Sequence, residues 1–279
     1  LQELYEKTFD VLEKGDFYLE KRSEKVRNRK RKIKRILLDE FPESRVTRVL
    51  GNLSTRYLLS YRSREIVEHL RLSLSRGKKS LAMKVEQHPE GNYTEVVLST
   101  LDMPGLFSLI AGVMSAHSIN ILGAQIHTRR NGVVLDVLQV NSPTGEIVDN
   151  LEKWDRVEED LSGVIEGRIY VENLVAKKQA PSYLSTHEKP RRANRVAIDN
   201  DVSDKYSVID VFAHDKVGLL YDITQTLNSL GLYIAVSKIS TKVDQVADVF
   251  YVHDIFGQKI LLPEKQEEVR NTLLKKLKS

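Results

Sequence analysis

Two turns hold the residues best suited to chemistry: Leu101-Asp102-Met103-Pro104-Gly105-Leu106-Phe107 and His214-Asp215-Lys216-Val217-Gly218-Leu219-Leu220. Each follows an alternating apolar run, Tyr93 to Thr100 and Tyr206 to Ala213, and each opens an amphipathic helical pattern. Gly105 and Gly218 permit close approach of a ligand to the backbone. The first amides of the following helix point outward without intrahelical partners, and the helix dipole favours a carboxylate there. Asp102 and Asn120 are expected at two loops on the same end of a sheet, where one can meet an α-ammonium and the other fix its orientation. The chemistry is capture of a small zwitterion. In the other reading, Asp102 and Asp215 cap their helices and glycine simply permits the turn.

The candidate ligand-binding residues are thus Asp102, Met103, Gly105, Leu106, Asn120 and Ile121 in the first copy. In the second they are Asp215, Lys216, Gly218, Leu219, Tyr233 and Ile234. Val217 replaces Pro104 there and Tyr233 replaces Asn120, so the second copy is either a site of its own or the partner that completes a shared pocket.

Other chemistries do not assemble. His214-Asp215 and His253-Asp254 fall at or just past strand ends, whereas a metal-binding His-Asp pair belongs on helices. His69 and His88 lack partners at ligand spacing. Asp199-Asn200-Asp201 lacks the Gly-Ser turn that accompanies nucleotidyltransferase carboxylates, and there is no phosphate-binding Gly-Lys loop or dinucleotide fingerprint. The chain has no cysteine, which excludes disulfides, thiolate metal sites and a cysteine nucleophile. No catalysis, metal or cofactor is expected in this segment.

The elements that must position these turns repeat. Ile119-Asn120-Ile121 aligns with Leu232-Tyr233-Ile234, and Gln125-Ile126-His127-Thr128 with Lys238-Ile239-Ser240-Thr241. After a one-residue offset, Asp136-Val137-Leu138-Gln139-Val140 meets Asp248-Val249-Phe250-Tyr251-Val252. In the first copy strands are expected at Tyr93 to Thr100, Ile121 to Thr128, Val133 to Val140 and Arg168 to Leu174, with helices over Gly105 to His117 and Ile147 to Leu161. That order is βαββαβ, the ferredoxin-like split arrangement, with Leu81 to Val85 as an extra edge strand. The second copy ends after its helix, so Arg195 to Asp199 is expected to fill the edge that its missing last strand leaves.

Residues 1–78 read as helices: one to Leu38, one from about Glu43 to Ser60, and one from Ser63, as N-cap, to Arg76. The fold class is therefore α+β, a helical N-terminal segment followed by two ferredoxin-like domains, the second lacking its own last strand. The expected limits are 1–79 for the helices, 80–176 for the first domain, 177–194 for a linker and 195–279 for the second domain. The net charge of +4 hides a local +9 between Lys21 and Arg35. No aromatic interleaves that run to stack on bases, so it reads as a solvated helix face rather than a nucleic-acid grip. No stretch reaches the roughly 20 apolar residues that cross a bilayer, and a cytoplasmic location is expected. The start at Leu1 reads as a piece of a longer protein.

The βαββαβ order with Asp-x-Pro-Gly-Leu at its first turn resembles the ACT domain, a regulatory module that often senses amino acids. Arg195 to Val211, Gly218 to Ile223 and Asp248 to Val252 resemble, more narrowly, the last ACT unit of the bacterial bifunctional PII uridylyltransferase/uridylyl-removing family. In that family a nucleotidyltransferase domain and an HD hydrolase domain precede paired ACT domains that sense glutamine. The resemblance implies L-glutamine as ligand, at the turn and at the Asn after the first helix, and the PII signalling protein as partner of the parent enzyme. It implies Mg for the parent's catalytic domains, with residues 1–78 as the tail of the region before the ACT pair. A second function class stays open: a non-catalytic interaction module, with the basic helix contacting nucleic acid or an acidic protein.

Overall fold

The computed structural model describes residues 23–129, 131–179, 193–214, 216–239, 241–242 and 245–278. They form two compact units, one through Gly77 together with residues 129–131, the other comprising Lys78–Thr128 and the chain from Gly132 onward. The expected first helical turns up to residue 22, and most of the expected linker, lie outside the described residues.

The first unit is helical: α1 (23–37), α2 (Glu43–Gly51), α3 (Thr55–Ser60) and α4 (Ser63–Ser75). The single helix expected from Glu43 to Ser60 is two, because Ser54 caps α3 by accepting the Tyr57 N–H at 3.1 Å. Arg62, not Ser63, is the N-cap of α4, and the Glu65 carboxylate reaches back to accept its N–H at 2.5 Å. Ile33 and Leu37 face inward from α1, while Lys34 pairs with Glu43 at 2.7 Å. Arg29 donates to the carbonyls of Leu58 and Tyr61. Part of the basic run therefore holds the helices together. Beneath α3, the buried Tyr57 hydroxyl lies 2.9 Å from His69 Nδ1.

The second unit contains both copies in one sheet. Its strands are β1 (Leu81–His88), β2 (Tyr93–Leu101), β3 (Asn120–Thr128), β4 (Val133–Asn141), β5 (Arg195–Asp199), β6 (Ser207–His214), β7 (Tyr233–Lys238), β8 (Thr241–Lys242) and β9 (Gln245–His253). Its helices are α5 (Leu106–Ala116), α6 (Leu151–Ile165), α7 (Val171–Gln179), α8 (Leu219–Ser229) and α9 (Pro263–Lys278). The order across the sheet is β1-β2-β4-β3-β7-β9-β6-β5, with β8 on β9. All the pairings are antiparallel, including β3 with β7, which joins the copies from Gly123 opposite Lys238 to Gln125 opposite Val236. As expected, β5 fills the edge beside β6.

The expected last strand at Arg168 to Leu174 is not a strand. Val171–Gln179 is α7, and Val171 and Val175, one helical turn apart, are both buried in the first copy's core. The edge beside β2 is taken instead by β1, paired from Leu81 opposite Thr100 to His88 opposite Tyr93. Each copy thus draws its closing strand from the chain ahead of it, as ββαββα. The helix expected over Ile147 to Leu161 starts later, at Leu151, because Asn150 caps it by accepting the Lys153 N–H at 2.9 Å. Its Trp154 donates Nε1–H to the Val148 carbonyl at 2.8 Å.

Candidate functional site

Strand direction decides where the candidate residues lie. β2 runs toward Asp102, α5 carries the chain back, and β3 starts again at the far end. Leu101 is opposite Val133 at one end of β4, whereas Asn120 is opposite Asn141 at the other. The expectation that Asp102 and Asn120 share a sheet end is therefore wrong. A nine-residue strand separates them, about 27 Å at 3.4 Å per residue. Within one copy they cannot hold one small molecule.

The other copy supplies the missing half. Because β3 and β7 are antiparallel, the second copy's turn comes to the Asn120 end of the first. Between them lies a cavity of about 610 Å³. Asn120, Ile121 and Asn141 line it from the first copy, with Ser115 from α5, and Lys216, Gly218 and Leu219 line it from the second. Asp248, on β9 and 1 % exposed, also contributes to the wall. The structure thus brings together five of the candidates: Asn120, Ile121, Lys216, Gly218 and Leu219. Asp102, Met103, Gly105, Leu106, Tyr233 and Ile234 are not part of this cavity, and Asp215 lies outside the described residues.

The local geometry follows from the turns. Gly105 and Gly218 take φ of +74° and +83°, a left-handed conformation open to glycine, and each is the N-cap of its helix. Being glycines, these N-caps supply no side-chain cap bond, and the Asp102 carboxylate accepts from the Met103 N–H. The Gly218 N–H, at the helix start facing the cavity, donates to Ser115 Oγ at 2.8 Å. Lys216 Nζ lies 3.2 Å from Asp222 Oδ2, and Lys276 Nζ lies 3.2 Å from the other oxygen of the same carboxylate. Asn120 Nδ2 donates to the Ser142 carbonyl at 3.4 Å on the rim. A cleft with a helix N-terminus, a cation, two amide side chains and a buried carboxylate can engage both ends of a zwitterion.

The first copy's turn has a different environment. Desolvation raises the Asp102 carboxyl above its ordinary value, against the Met103 N–H, which lowers it. Below it Asp136, also 1 % exposed, is pushed up to about 8 by burial, opposed by a backbone bond from His127 and assisted by the nearby Asp102 charge. Ser115, Asn141 and Asp248 were not among the sequence candidates. A signal for two of them existed: the register that aligns Gly105 with Gly218 also aligns Ser115 with Asn228 and, after a one-residue offset, Asp136 with Asp248. Among the described residues, no group of three or more His, Cys, Asp or Glu could hold a metal ion, and no helix is long and apolar enough to cross a membrane.

Paired ββαββα units meet at this cleft, and a family model described as an ACR9-like, ACT-like domain matches residues 195–279. The chain is 32 % identical over 98 % of its length to the bifunctional uridylyltransferase/uridylyl-removing enzyme of Rhodospirillum rubrum, covering 29 % of that protein. It is 32 % identical over its full length to the enzyme of the same description from Gluconobacter oxydans, covering 30 %. The chain is thus similar over its length to a part of these enzymes and spans under a third of those relatives' length. Among solved structures, an aspartate kinase from Synechocystis overlaps 67 % of this chain and 27 % of its own at 12 % identity, with a TM-score of 0.36.

Proposed function

We propose that the paired copies form an amino-acid sensor, with L-glutamine as ligand, that sets the balance between uridylylation and deuridylylation of the PII protein by attached catalytic domains. The observation that carries this is the cavity between the copies, with Asn120 and Asn141 on one wall and the Lys216–Gly218 turn on the other. Relatives named for opposed transferase and removing activities support a regulatory segment that must favour one of two states. A ligand shifts such a balance only if it prefers one arrangement of the domains. Mg belongs, in this reading, to the attached catalytic domains, and the enzyme works in the cytoplasm. Residues 1–79, 80–176 and 195–279 act as helical tail, first and second sensor domains.

The test is thermal unfolding of the chain against the twenty L-amino acids and D-glutamine. A ligand that binds only the folded state stabilises it by roughly 2.7 kcal/mol at a hundredfold excess over its Kd. A shift with L-glutamine that D-glutamine does not produce supports the sensor. Absence of any shift at millimolar concentrations moves the function to the interaction module. That second reading draws on Ile255, Phe256, Leu261 and Leu262, which lie exposed around the loop after β9.

A further inference from the structure

Arg129, the residue after β3, belongs with the helical unit and is 7 % exposed. Its Nη1 donates to Ser73 Oγ, on the last turn of α4, at 3.0 Å. Its other two nitrogens, Nε and Nη2, are buried and meet no hydrogen-bond acceptor among the described residues. Those two N–H groups share one edge of the planar guanidinium, the edge that grips two oxygens of a carboxylate or phosphate at once. A complete bidentate fork is therefore buried and unsatisfied.

The surroundings do not supply the missing negative charge. Burial lowers the Arg129 pKa, opposed by Tyr57 and reinforced by the nearby charge of Arg76, the C-cap residue of α4. Tyr57 carries no charge near neutral pH, because burial holds its hydroxyl well above the ordinary 10. Glu65, whose charge reaches Tyr57, is engaged at the other end of α4, where it accepts the Arg62 N–H. A buried charge without a counter-ion is costly, and an apolar side chain would fill the same space more cheaply. An orphaned buried donor in a folded protein is a mark of an ion or ligand that completes it.

The chemistry of that ligand follows from the donors. The fork needs two oxygens of one group, which a carboxylate, a sulfate or a phosphate provides. Two neighbouring guanidinium charges favour an anion that carries more than one charge, and this selects phosphate over carboxylate. We propose that Arg129, with Ser73 and Arg76, forms a phosphate-type anion site at the end of α4. A phosphoryl group lies side-on against Nε and Nη2 of Arg129, and Arg76 balances its second charge. Because the fork is closed to water, the anion enters as Arg129 parts from α4 and ends enclosed beside it. None of these residues lines the cleft between the copies, so the site stands or falls apart from the sensor reading.

Equilibrium dialysis of the whole chain against radiolabelled inorganic phosphate, at an ionic strength held constant with potassium chloride, tests this. The expected result is one phosphate per chain, displaced by sulfate and not by acetate at equal concentration. Arg129→Lys keeps the charge but not the fork, and is expected to weaken binding at least about tenfold. Arg129→Met is expected to abolish binding in a folded chain, since it exchanges a buried charge for an apolar side chain of similar length. If Arg129→Met does not fold, Arg76→Gln takes its place, with an expected loss of at least about threefold. Competition with glycerophosphate separates the two sources of such a group. Displacement stronger than by unlabelled phosphate supports an ester as the ligand, and weaker displacement supports free phosphate. Equal binding by the wild type and Arg129→Met would place the phosphate on exposed basic residues and overturn the proposal. Displacement by acetate as strong as by sulfate, or no binding at millimolar phosphate, would overturn it as well.

Discussion

The Gly218 N–H donates to Ser115 Oγ at 2.8 Å, so the first turn of one copy's helix is held by the last turn of the other's. The bond sits on the wall of the cleft, and the residue that makes it decides how much of the cleft is empty. Asn228 at the equivalent place lies against Gly105. Ser115→Asn is therefore expected to fold, at a cost of about 1 kcal/mol, and to lose ligand binding by occupying the cavity. Calorimetry shows the lost binding, and urea denaturation followed by Trp154 fluorescence shows the retained fold. Trp154 is the chain's single tryptophan and is buried in the first copy's core.

Gly105 and Gly145 separate backbone strain from crowding. Both have positive φ, +74° and +84°, but a side chain at Gly145 would meet nothing within 4 Å, whereas one at Gly105 meets Asn228. Gly145→Ala should cost about 1 kcal/mol from the left-handed backbone alone. Gly105→Ala should cost about 1 kcal/mol more, through displacement of Asn228. Paired urea titrations measure the difference, and equal costs would show that Asn228 yields freely.

Asp136 sets a pH dependence whose sign can be worked out. Burial pushes its carboxyl from the ordinary 3.8 up to about 8. Between those values the native state keeps a proton that the unfolded chain releases, so stability from this group is greatest below the ordinary value and is lost as pH rises through the raised one. The slope is at most about 1.4 kcal/mol per pH unit. Asp136→Asn mimics the protonated acid, so its urea midpoint should change less than the wild type's between about pH 5 and about pH 8 and lie above it at the upper end. Parallel pH profiles would show that Asp136 stays ionised in the fold.

In the helical unit, Tyr57→Phe removes a hydroxyl 2.9 Å from His69 Nδ1 in a buried setting. Losing one partner of a buried hydrogen bond costs about 1–3 kcal/mol. Amide hydrogen exchange should quicken in α3 and α4 of that variant, since the two residues sit on those helices. Unchanged protection there would mean that the pair contributes little to holding α3 on α4.

Local pattern revealed much of this protein. The glycine turns, the repeat, the hairpin after β3 and the strand that closes the second copy all follow from spacing and residue type. What spacing could not supply was direction. Asp102 and Asn120 are each at a loop, but a strand–helix–strand crossover returns the chain to the end where it began, which puts them at opposite ends. The same blindness hid the true site, since Asn120 and Lys216 come together only through the antiparallel β3–β7 pairing. The segment at Arg168 to Leu174 misled for another reason. Apolar residues in so short a run suit a strand or a helix equally, and packing on α5 decided for α7. Asp248 was visible as a repeated residue, but only the fold sets it, buried, on the cavity wall.

The pairing of β3 with β7 runs from Gly123 to Gln125, while β2 with β4 and β6 with β9 pair along nearly whole strands. In mechanical terms the sheet is notched at its midline. A molecule lodged in the adjoining cleft would touch both halves and act as a splint across that seam. The duplicated halves are thus stitched by a short strand seam on one layer and by α5 packed on α8 in the other, with a socket placed beside the seam.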